Sequence, residues 1–152
     1  MKTETISVAE LVAQGMKPEC GENRPVVLVL DDDVVVADTI VEILKRTGFC
    51  AMAMYRAEAA LAYAALVPPD LMIIDVLLPG MNGIEVAKIM KKECPGCRVL
   101  LLTADPYTEE MLEKGRAEGN NFPVLMKPMD PGELLFAMAG PENTSWRRQH
   151  GN

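Results

Sequence analysis

Five short apolar segments, separated by stretches of helical character, constrain the fold of this chain more than any other feature. Each segment is continuously apolar rather than alternating, which is typical of parallel strands that are covered on both faces of the sheet. Strands of this kind that alternate with helices indicate repeated βα units. The predicted strands are Val26–Leu30, Cys50–Met54, Leu71–Ile74, Val99–Leu102 and Val124–Met126.

A helix is predicted after each strand. Gly48 ends the first helix, and Pro68 and Pro69 stop the second. Asp130, followed by proline and by Glu133 three residues later, has the pattern of a capped helix N-terminus. The predicted helices are Val34–Arg46, Ala57–Leu66, Ile84–Lys92, Tyr107–Glu118 and a last helix that ends at about Ala139.

This order of elements predicts an α/β fold with one main domain. Right-handed crossovers leave few topologies, and we expect a flavodoxin-like (βα)5 fold, a doubly wound parallel sheet with strand order 2-1-3-4-5. Residues 25–140 are the predicted globular domain. Residues 1–24 are predicted to form an N-terminal extension or linker, and residues 141–152 a polar C-terminal tail.

Composition and charge exclude several classes of protein. The 152 residues are 49% hydrophobic, which excludes a disordered chain, and the net charge of −7 argues against non-specific binding to nucleic acid or to an anionic membrane. No apolar run is long enough to cross a bilayer, and the N-terminal segment has no apolar region of the signal-peptide kind. We therefore expect a cytoplasmic protein.

The four cysteines give a weak signal. Cys94-Pro-Gly-Cys97 has the spacing of a redox pair or of half a zinc site, but there is no second pair of this spacing and the one histidine is His150. The Pro-Gly dipeptide favours a turn. We expect four reduced thiols with no redox or metal role.

Polar residues follow four of the five predicted strands. The carboxyl ends of parallel strands meet at one edge of the sheet, where ligands bind in folds of this class. Several carboxylates, a hydroxyl and an amine are therefore expected to converge on one crevice. The residues concerned are Asp31, Asp32, Asp75, Thr103 and Lys127.

This set of side chains suits a divalent cation and a phosphoryl group. Carboxylates that are held together repel one another unless a cation compensates them, and Mg²⁺ prefers oxygen ligands. Asp32 and Asp75 fit as carboxylate ligands, Asp31 could orient a bound water, and the backbone carbonyl of Leu77 is a further candidate ligand. Lys127 offers a compact positive charge to a phosphoryl oxygen, and Thr103 offers a short hydrogen-bond donor from the opposite side. A carboxylate in such a site can act as a nucleophile and form an aspartyl phosphate.

The chain resembles the receiver domain of two-component response regulators, in particular single-domain regulators of the chemotaxis type. The resemblance rests on the segments VLVLDDD, LMIIDVLLPGMNGIEV, LLLTAD and LMKPMD, and it covers about Val26–Ala139. It implies that Asp75 is the phosphoacceptor and that Asp31 and Asp32 complete a Mg²⁺ pocket. It also implies that Thr103 and Lys127 engage the phosphoryl group and that the peptide bond between Lys127 and Pro128 is cis.

The resemblance also implies partners. The phosphoryl donor would be a sensor histidine kinase or a histidine phosphotransfer protein, and the output would be a contact with a downstream protein that the sequence does not name. We expect a signalling protein rather than an enzyme, with no direct DNA binding and no membrane contact. A homodimer, if one forms, is expected at the face made by the fourth helix, the fifth strand and the last helix.

One position departs from the family pattern. Receivers commonly carry an aromatic residue three positions before the lysine, and this chain has Val124 there, with Phe122 two residues earlier. We therefore expect signalling through Thr103 without an aromatic residue that rotates inward. Three alternatives stay open at this point: a haloacid-dehalogenase-like phosphatase with Asp31 as nucleophile and Asp33 as acid/base, a pseudo-receiver that binds a partner without phosphorylation, and a flavin-binding flavodoxin. Asp33 is otherwise expected to be only the N-cap of the first helix.

Overall fold

The structure, a computed structural model, describes residues 24–104 and 108–139. Within these residues a parallel sheet of five strands has the order β2-β1-β3-β4-β5. The predicted fold class and strand order are therefore confirmed. The strands are β1 (Val26–Leu30), β2 (Cys50–Met54), β3 (Leu71–Asp75), β4 (Arg98–Thr103) and β5 (Val124–Met126).

In the described part of the chain, one helix follows each of the five strands. The bounds of the helices agree with the predicted ones to within one residue at most ends. The predicted start of the fourth helix at Tyr107 lies outside the described residues, as do the predicted N-terminal extension and C-terminal tail. The helices are α1 (Val34–Arg46), α2 (Ala57–Leu66), α3 (Gly83–Glu93), α4 (Glu109–Ala117) and α5 (Pro131–Ala139).

Each central strand packs against helices on both faces of the sheet. In β1, Val27 and Val29 contact the layer formed by α1 and α5, while Leu28 and Leu30 contact the layer formed by α2, α3 and α4. Successive side chains of a strand point to opposite faces, so a strand that is buried on both sides needs apolar residues at every position. This requirement explains the continuous apolar runs of the sequence.

Side-chain caps define where α1, α3 and α5 begin, and each of these helices follows a strand with a polar residue at its end. Asp33 accepts a hydrogen bond from the backbone N–H of Val36, so its carboxylate is the N-cap of α1 as predicted. Asn82 and Glu85 form a reciprocal capping box at α3, and Asp130 and Glu133 form the same pair of bonds at α5.

Tyr63 of α2 carries a buried hydroxyl that has no hydrogen-bond partner in the part of the chain that the structure describes. Burial also raises the pKa of this phenol. A buried hydroxyl without a partner costs free energy, so Tyr63→Phe is expected to increase the free energy of unfolding by about 1 kcal/mol in urea denaturation. The exposed Tyr55, whose hydroxyl donates to Asp38, provides the control: Tyr55→Phe should change stability by less than about 0.5 kcal/mol. Destabilisation by Tyr63→Phe would contradict this account.

The cysteines meet only part of the expectation. Cys94 and Cys97 are free thiols, and burial raises the pKa of Cys97 to about 12, which leaves it protonated and unreactive at neutral pH. Cys50, however, is disulfide-bonded, so the expectation of four reduced thiols is wrong for this residue. Spacing along the chain does not show which sulfurs meet in the fold. Among the described residues, no helix is both long and apolar enough to cross a membrane.

Candidate functional site

The site forms at the carboxyl edge of the sheet, as the sequence predicts. Asp75 is the last residue of β3, Asp31 follows β1 directly, and Lys127 follows β5 directly. In each of these strands the preceding residues of the same parity pack on the layer of α1 and α5. Alternation along the strands therefore places these three side chains on one side of the sheet edge.

Lys127 joins two carboxylates. Its Nζ lies 2.6 Å from Oδ2 of Asp31 and 3.1 Å from Oδ1 of Asp75. The other oxygen of Asp31 accepts a hydrogen bond from the backbone N–H of Asp33 at 3.0 Å. Asp31 is 1% exposed, so its charge is compensated from both sides and its position is fixed.

Three carboxylates are close enough to share one cation. Single oxygen atoms of Asp31, Asp32 and Asp75 all lie within 4.8 Å of one another. Asp31 and Asp75 are buried, whereas Asp32 is exposed to solvent. A donor set made only of carboxylate oxygens, open to water on one side, suits a hard cation such as Mg²⁺, which usually keeps several waters.

The charges of the site oppose ionisation of Asp75. Burial raises the pKa of Asp75 to about 6, and the neighbouring charge of Asp31 acts in the same direction. The charge and hydrogen bond of Lys127 lower the pKa of Asp75, but they do not cancel the increase. Burial by itself would lower the pKa of Lys127, yet its hydrogen bond to Asp31 and the charge of Asp75 outweigh burial, and the pKa is raised. Lys127 therefore stays charged, and the site still carries an excess of negative charge that a cation would compensate.

Thr103 is the last residue of β4 and is 3% exposed. The residues of the same parity in β4, Val99 and Leu101, pack on the layer of α2, α3 and α4. Thr103 therefore approaches the edge from the side opposite to Lys127, as expected. Its hydroxyl lies 2.7 Å from the hydroxyl of Thr108, which is also buried and directly precedes α4. The sequence analysis missed Thr108, since no local pattern shows that a hydroxyl five residues away reaches the strand end.

Gly83 packs closely against the backbone of Asp75 and Val76. Its backbone N–H donates to the carbonyl of Val76 at 2.8 Å, which closes the loop between β3 and α3. A Cβ atom at this position would lie 2.1 Å from the carbonyl oxygen of Asp75 and 2.8 Å from Cα of Val76. Only glycine fits so close to that backbone. Within the loop, Gly80 has a φ of +78°, a conformation that favours glycine.

Three further predicted features concern Leu77, the peptide bond between Lys127 and Pro128, and Asp33. Leu77, two residues beyond Asp75, has an exposed side chain, and its carbonyl stays a predicted ligand. The peptide bond between Lys127 and Pro128 is cis, as predicted. Asp33 is used as a helix cap, which gives no support to its role as an acid/base in the phosphatase alternative.

Comparison with known proteins decides the family. Residues 27–139 match the family model described as the response regulator receiver domain. The chain belongs to this family. Receiver domains are the phosphoacceptors of two-component systems, and the recognition made from the four sequence segments is therefore confirmed. The phosphatase and flavodoxin alternatives find no support in the comparison.

Curated relatives and solved structures agree. The receiver is 33% identical over 115 residues to the DNA-binding response regulator MtrA of Mycolicibacterium paratuberculosis, covering 74% of this chain and 48% of that protein. The chain thus spans about half the length of the curated relatives it matches. The receiver domain of an HD domain-containing protein from Pseudomonas fluorescens superposes with a TM-score of 0.72 at 28% identity, covering 85% of this chain and 99% of that one. Chemotaxis protein CheY4 of Vibrio cholerae superposes with a TM-score of 0.67 at 27% identity, and the match covers 76% of this chain and 96% of that one.

The receiver has Val124 where the family commonly has an aromatic residue. Val124 pairs with Leu101 in the sheet, and Met126, which pairs with Thr103, is half exposed. Phe122 is half-buried and lines a cavity of only about 10 Å³ together with Leu112 of α4. That volume holds about one water, too little for an aromatic ring to rotate into. Signalling without an inward-rotating aromatic residue stays a prediction.

Proposed function

We propose that Asp75 accepts the phosphoryl group of this receiver from a phosphohistidine. The observation that carries the proposal is the double ion pair of Lys127, which holds a compact positive charge beside a buried carboxylate at 3.1 Å. A phosphoryl group on Asp75 would add negative charge next to that ammonium group. Intact mass after incubation with acetyl phosphate and Mg²⁺ tests the proposal, because a single phosphoryl adduct is expected.

The transfer is an exchange of one bond for another. An Oδ atom of Asp75 attacks phosphorus, the O–P bond forms as the P–N bond to the donor imidazole breaks, and the imidazole nitrogen leaves with the bonding electron pair and takes up a proton. Negative charge on the transferring oxygens is stabilised by Lys127. Thr103 donates a hydrogen bond to the phosphoryl group after transfer, because a bond to a charged acceptor is stronger than a neutral one.

Asp31, Asp32 and Asp75 would hold Mg²⁺, with the carbonyl of Leu77 as a further ligand. When bound, the ion supplies positive charge for the phosphoryl oxygens. Support comes from the donor set, since three carboxylates within 4.8 Å are only partly compensated by Lys127. Asp31, whose two oxygens are already engaged by Lys127 and by the Asp33 amide, has the least freedom to contribute a direct bond.

Asp32→Ala is expected to weaken Mg²⁺ binding roughly tenfold or more in calorimetric titration. A charge about 4 Å from a cation contributes on the order of several kcal/mol at a protein surface, so losing one exposed carboxylate has a measurable cost. Asp38→Asn, a charge change on the exposed face of α1, serves as the matched control and should leave the affinity unchanged. Equal affinities for Asp32→Ala and the wild type would remove Asp32 from the site.

Leu77 is expected to make the phosphorylated state long-lived. Its side chain is exposed two residues beyond Asp75 and has no polar atom that could orient a hydrolytic water. Leu77→Asn should accelerate loss of the phosphoryl group by up to about tenfold, since an amide can orient water but cannot take its proton as a general base does. Leu77→Ala separates the loss of bulk from the gain of an amide and should have the smaller effect. An unaltered decay rate in Leu77→Asn would contradict this role.

An apolar groove next to the site is consistent with a phosphoryl donor that is a protein. The groove has a volume of about 550 Å³ and runs between α1 and the segment that joins β5 to α5. Its lining includes Val35, Val36 and Ile43 of α1 together with Pro128 and Lys127. Lys127 belongs to both the groove and the site, so an apolar helix face laid in the groove would bring a neighbouring histidine close to Asp75. We propose this surface as the docking site of the kinase or phosphotransfer protein.

The downstream partner is a separate question. The curated relatives are named as DNA-binding regulators, and the part of them that this chain matches is about half of their length. Absence of direct DNA binding therefore stays a prediction for this chain, as do the domain boundaries at residues 24 and 140, cytoplasmic location and dimerisation through α4, β5 and α5. The pseudo-receiver alternative is disfavoured by the complete set of acidic residues, and the phosphoryl adduct tests it directly.

A further inference from the structure

Helix α2 is apolar on every side. Of its ten residues only Glu58 is charged, and the apolar residues do not separate into a single face. A helix of this kind is usually buried all round. Ala62, Ala65 and Leu66 are nevertheless exposed, Leu66 by 44%. The outer face of α2 therefore presents an apolar surface to solvent.

A groove continues this surface. It lies between α2 and α3 and has a volume of about 280 Å³. Leu61 and Ala65 of α2 and Ile89 of α3 are among its lining residues, and Glu93 is the only charged residue of the lining. An exposed apolar surface that extends over two helices is typical of an interaction site. We call the outer face of α2 and this groove the α2 surface.

Opposite charges mark the two ends of the α2 surface. Arg56 directly precedes α2, and Glu93 is the last residue of α3. Because both helices connect parallel strands, they run in the same direction, and Glu93 lies in the groove lining with Pro68, beyond the C-terminal end of α2. Arg56 and Glu93 are exposed, and neither forms an ion pair with another residue of the described ranges. Each charge is thus available to a partner.

We propose that the α2 surface binds a second copy of the chain, with the two α2 helices antiparallel. A two-fold axis then relates the copies, and both use the same surface. The ten residues of α2 span about 15 Å. An axis close to the helix midpoint, at Leu61 and Ala62, brings Arg56 of each copy to Glu93 of the other. Two ion pairs therefore close the ends of an apolar interface.

Charge complementarity favours a second copy over a different protein. An antiparallel pair needs opposite charges at the two ends of one surface and no charge in the middle, and residues 59–66 carry none. A parallel pair would instead place Arg56 against Arg56, which is unfavourable. The inference goes beyond the proposed function, because the dimer does not require a phosphoryl group on Asp75.

Sedimentation equilibrium tests for the dimer. The wild-type chain should associate reversibly with a Kd on the order of tens of micromolar, since one helix and one groove per copy form a small interface. Ala62→Lys places a positive charge beside the axis in both copies and should raise the Kd roughly tenfold or more. Lysine is a good helix former, so α2 should stay folded.

Met126→Lys is the comparison for Ala62→Lys. Met126 is an exposed residue of β5, and its substitution would weaken a dimer formed through α4, β5 and α5 but should not affect a dimer formed through α2. Loss of the dimer in Met126→Lys alone would overturn the proposal. A wild-type chain that is monomeric at about 1 mM would also overturn it and would leave the α2 surface to a different protein.

Charge reversal tests the two ion pairs. Arg56→Glu and Glu93→Arg each place like charges together at both ends of the interface and should each raise the Kd roughly tenfold. Both substitutions suit the dipole of their own helix, so neither should lower the stability of the monomer in urea denaturation. Lys45→Glu, a reversal on the exposed face of α1 across the sheet, is the matched control and should leave the Kd unchanged.

Mixing the two reversal variants gives the decisive result. A dimer of Arg56→Glu with Glu93→Arg has opposite charges at both ends again, so the mixture should regain the wild-type Kd. Failure to regain it, or single variants that self-associate as the wild type does, would overturn the antiparallel arrangement. Asp75→Asn should dimerise as the wild type does, so a failure of phosphorylation and a failure of this interface are distinguishable.

Discussion

Asp75→Asn is expected to carry no phosphoryl group after incubation with acetyl phosphate and Mg²⁺, whereas the wild-type chain gains one. An amide keeps the shape of the side chain but is not nucleophilic, so the expected effect is complete. Asp75 is the buried carboxylate at the end of the central strand β3, and it lies in direct contact with Lys127. Intact mass spectrometry of both proteins, followed by peptide mapping of the adduct, makes the measurement.

Asp33→Asn is the matched control for this experiment. Asparagine caps a helix as well as aspartate does, so α1 should be undisturbed and the adduct should form at the wild-type level. The same variant tests the phosphatase alternative, in which Asp33 is the acid/base. An adduct that persists in Asp75→Asn and disappears in Asp31→Asn would contradict the assignment of Asp75 and favour that alternative.

Gly83→Ala is expected to destabilise the protein by about 3 kcal/mol, at the upper end of what overpacking costs. The added Cβ would lie 2.1 Å from the carbonyl oxygen of Asp75 and 2.9 Å from its carbonyl carbon. Both neighbours are backbone atoms, which cannot rotate away as a side chain can. The variant must therefore shift the loop after β3, so phosphorylation by acetyl phosphate should fall along with stability. Urea denaturation and the labelling rate measure the two effects.

Gly96→Ala provides the comparison for this prediction. A Cβ at Gly96 would meet no atom within 4 Å, and its φ is not in the left-handed region. Its effect on the free energy of unfolding should stay within about 0.5 kcal/mol. If Gly83→Ala were equally mild, the loop that carries Asp75 would be far more compliant than its close backbone contact indicates.

The sequence predicts the architecture well because the signals for it are local and repeated. Continuous apolar strands, capped helices and their strict alternation leave one common topology, and the strand ends then place Asp31, Asp75 and Lys127 at one edge. The site residues could be named before any contact was known, since the position of a residue at a strand end is a property of its neighbours in sequence.

Other features are not visible in the sequence because they depend on contacts between elements. The apolar pattern of α1 predicts one buried face made of Val36, Ile40, Ile43 and Leu44. Ile40 and Leu44 are buried as predicted, but Val36 and Ile43 are only half-buried. Ala37 and Val41, which the pattern does not include, lie in the core. Periodicity identifies an apolar stripe and does not tell which of its edges borders a groove. The close backbone contact at Gly83 is likewise a three-dimensional fact that follows from the path of the loop.

The short strand β5 places Lys127 at the edge of the sheet. Among residues 24–104 and 108–139, β4 is the only strand that pairs with Val124–Met126, which lies at the edge of the sheet and is incompletely buried. Lys127 follows it directly. Edge segments of this kind open locally at a much lower free energy than the core requires. Lys127 is attached to this edge, and its ion pairs with Asp31 and Asp75 connect the edge strand to the centre of the sheet. A change in the charge of Asp75 is therefore expected to change the free energy at which β5 opens, because it changes one of the two ion pairs of Lys127.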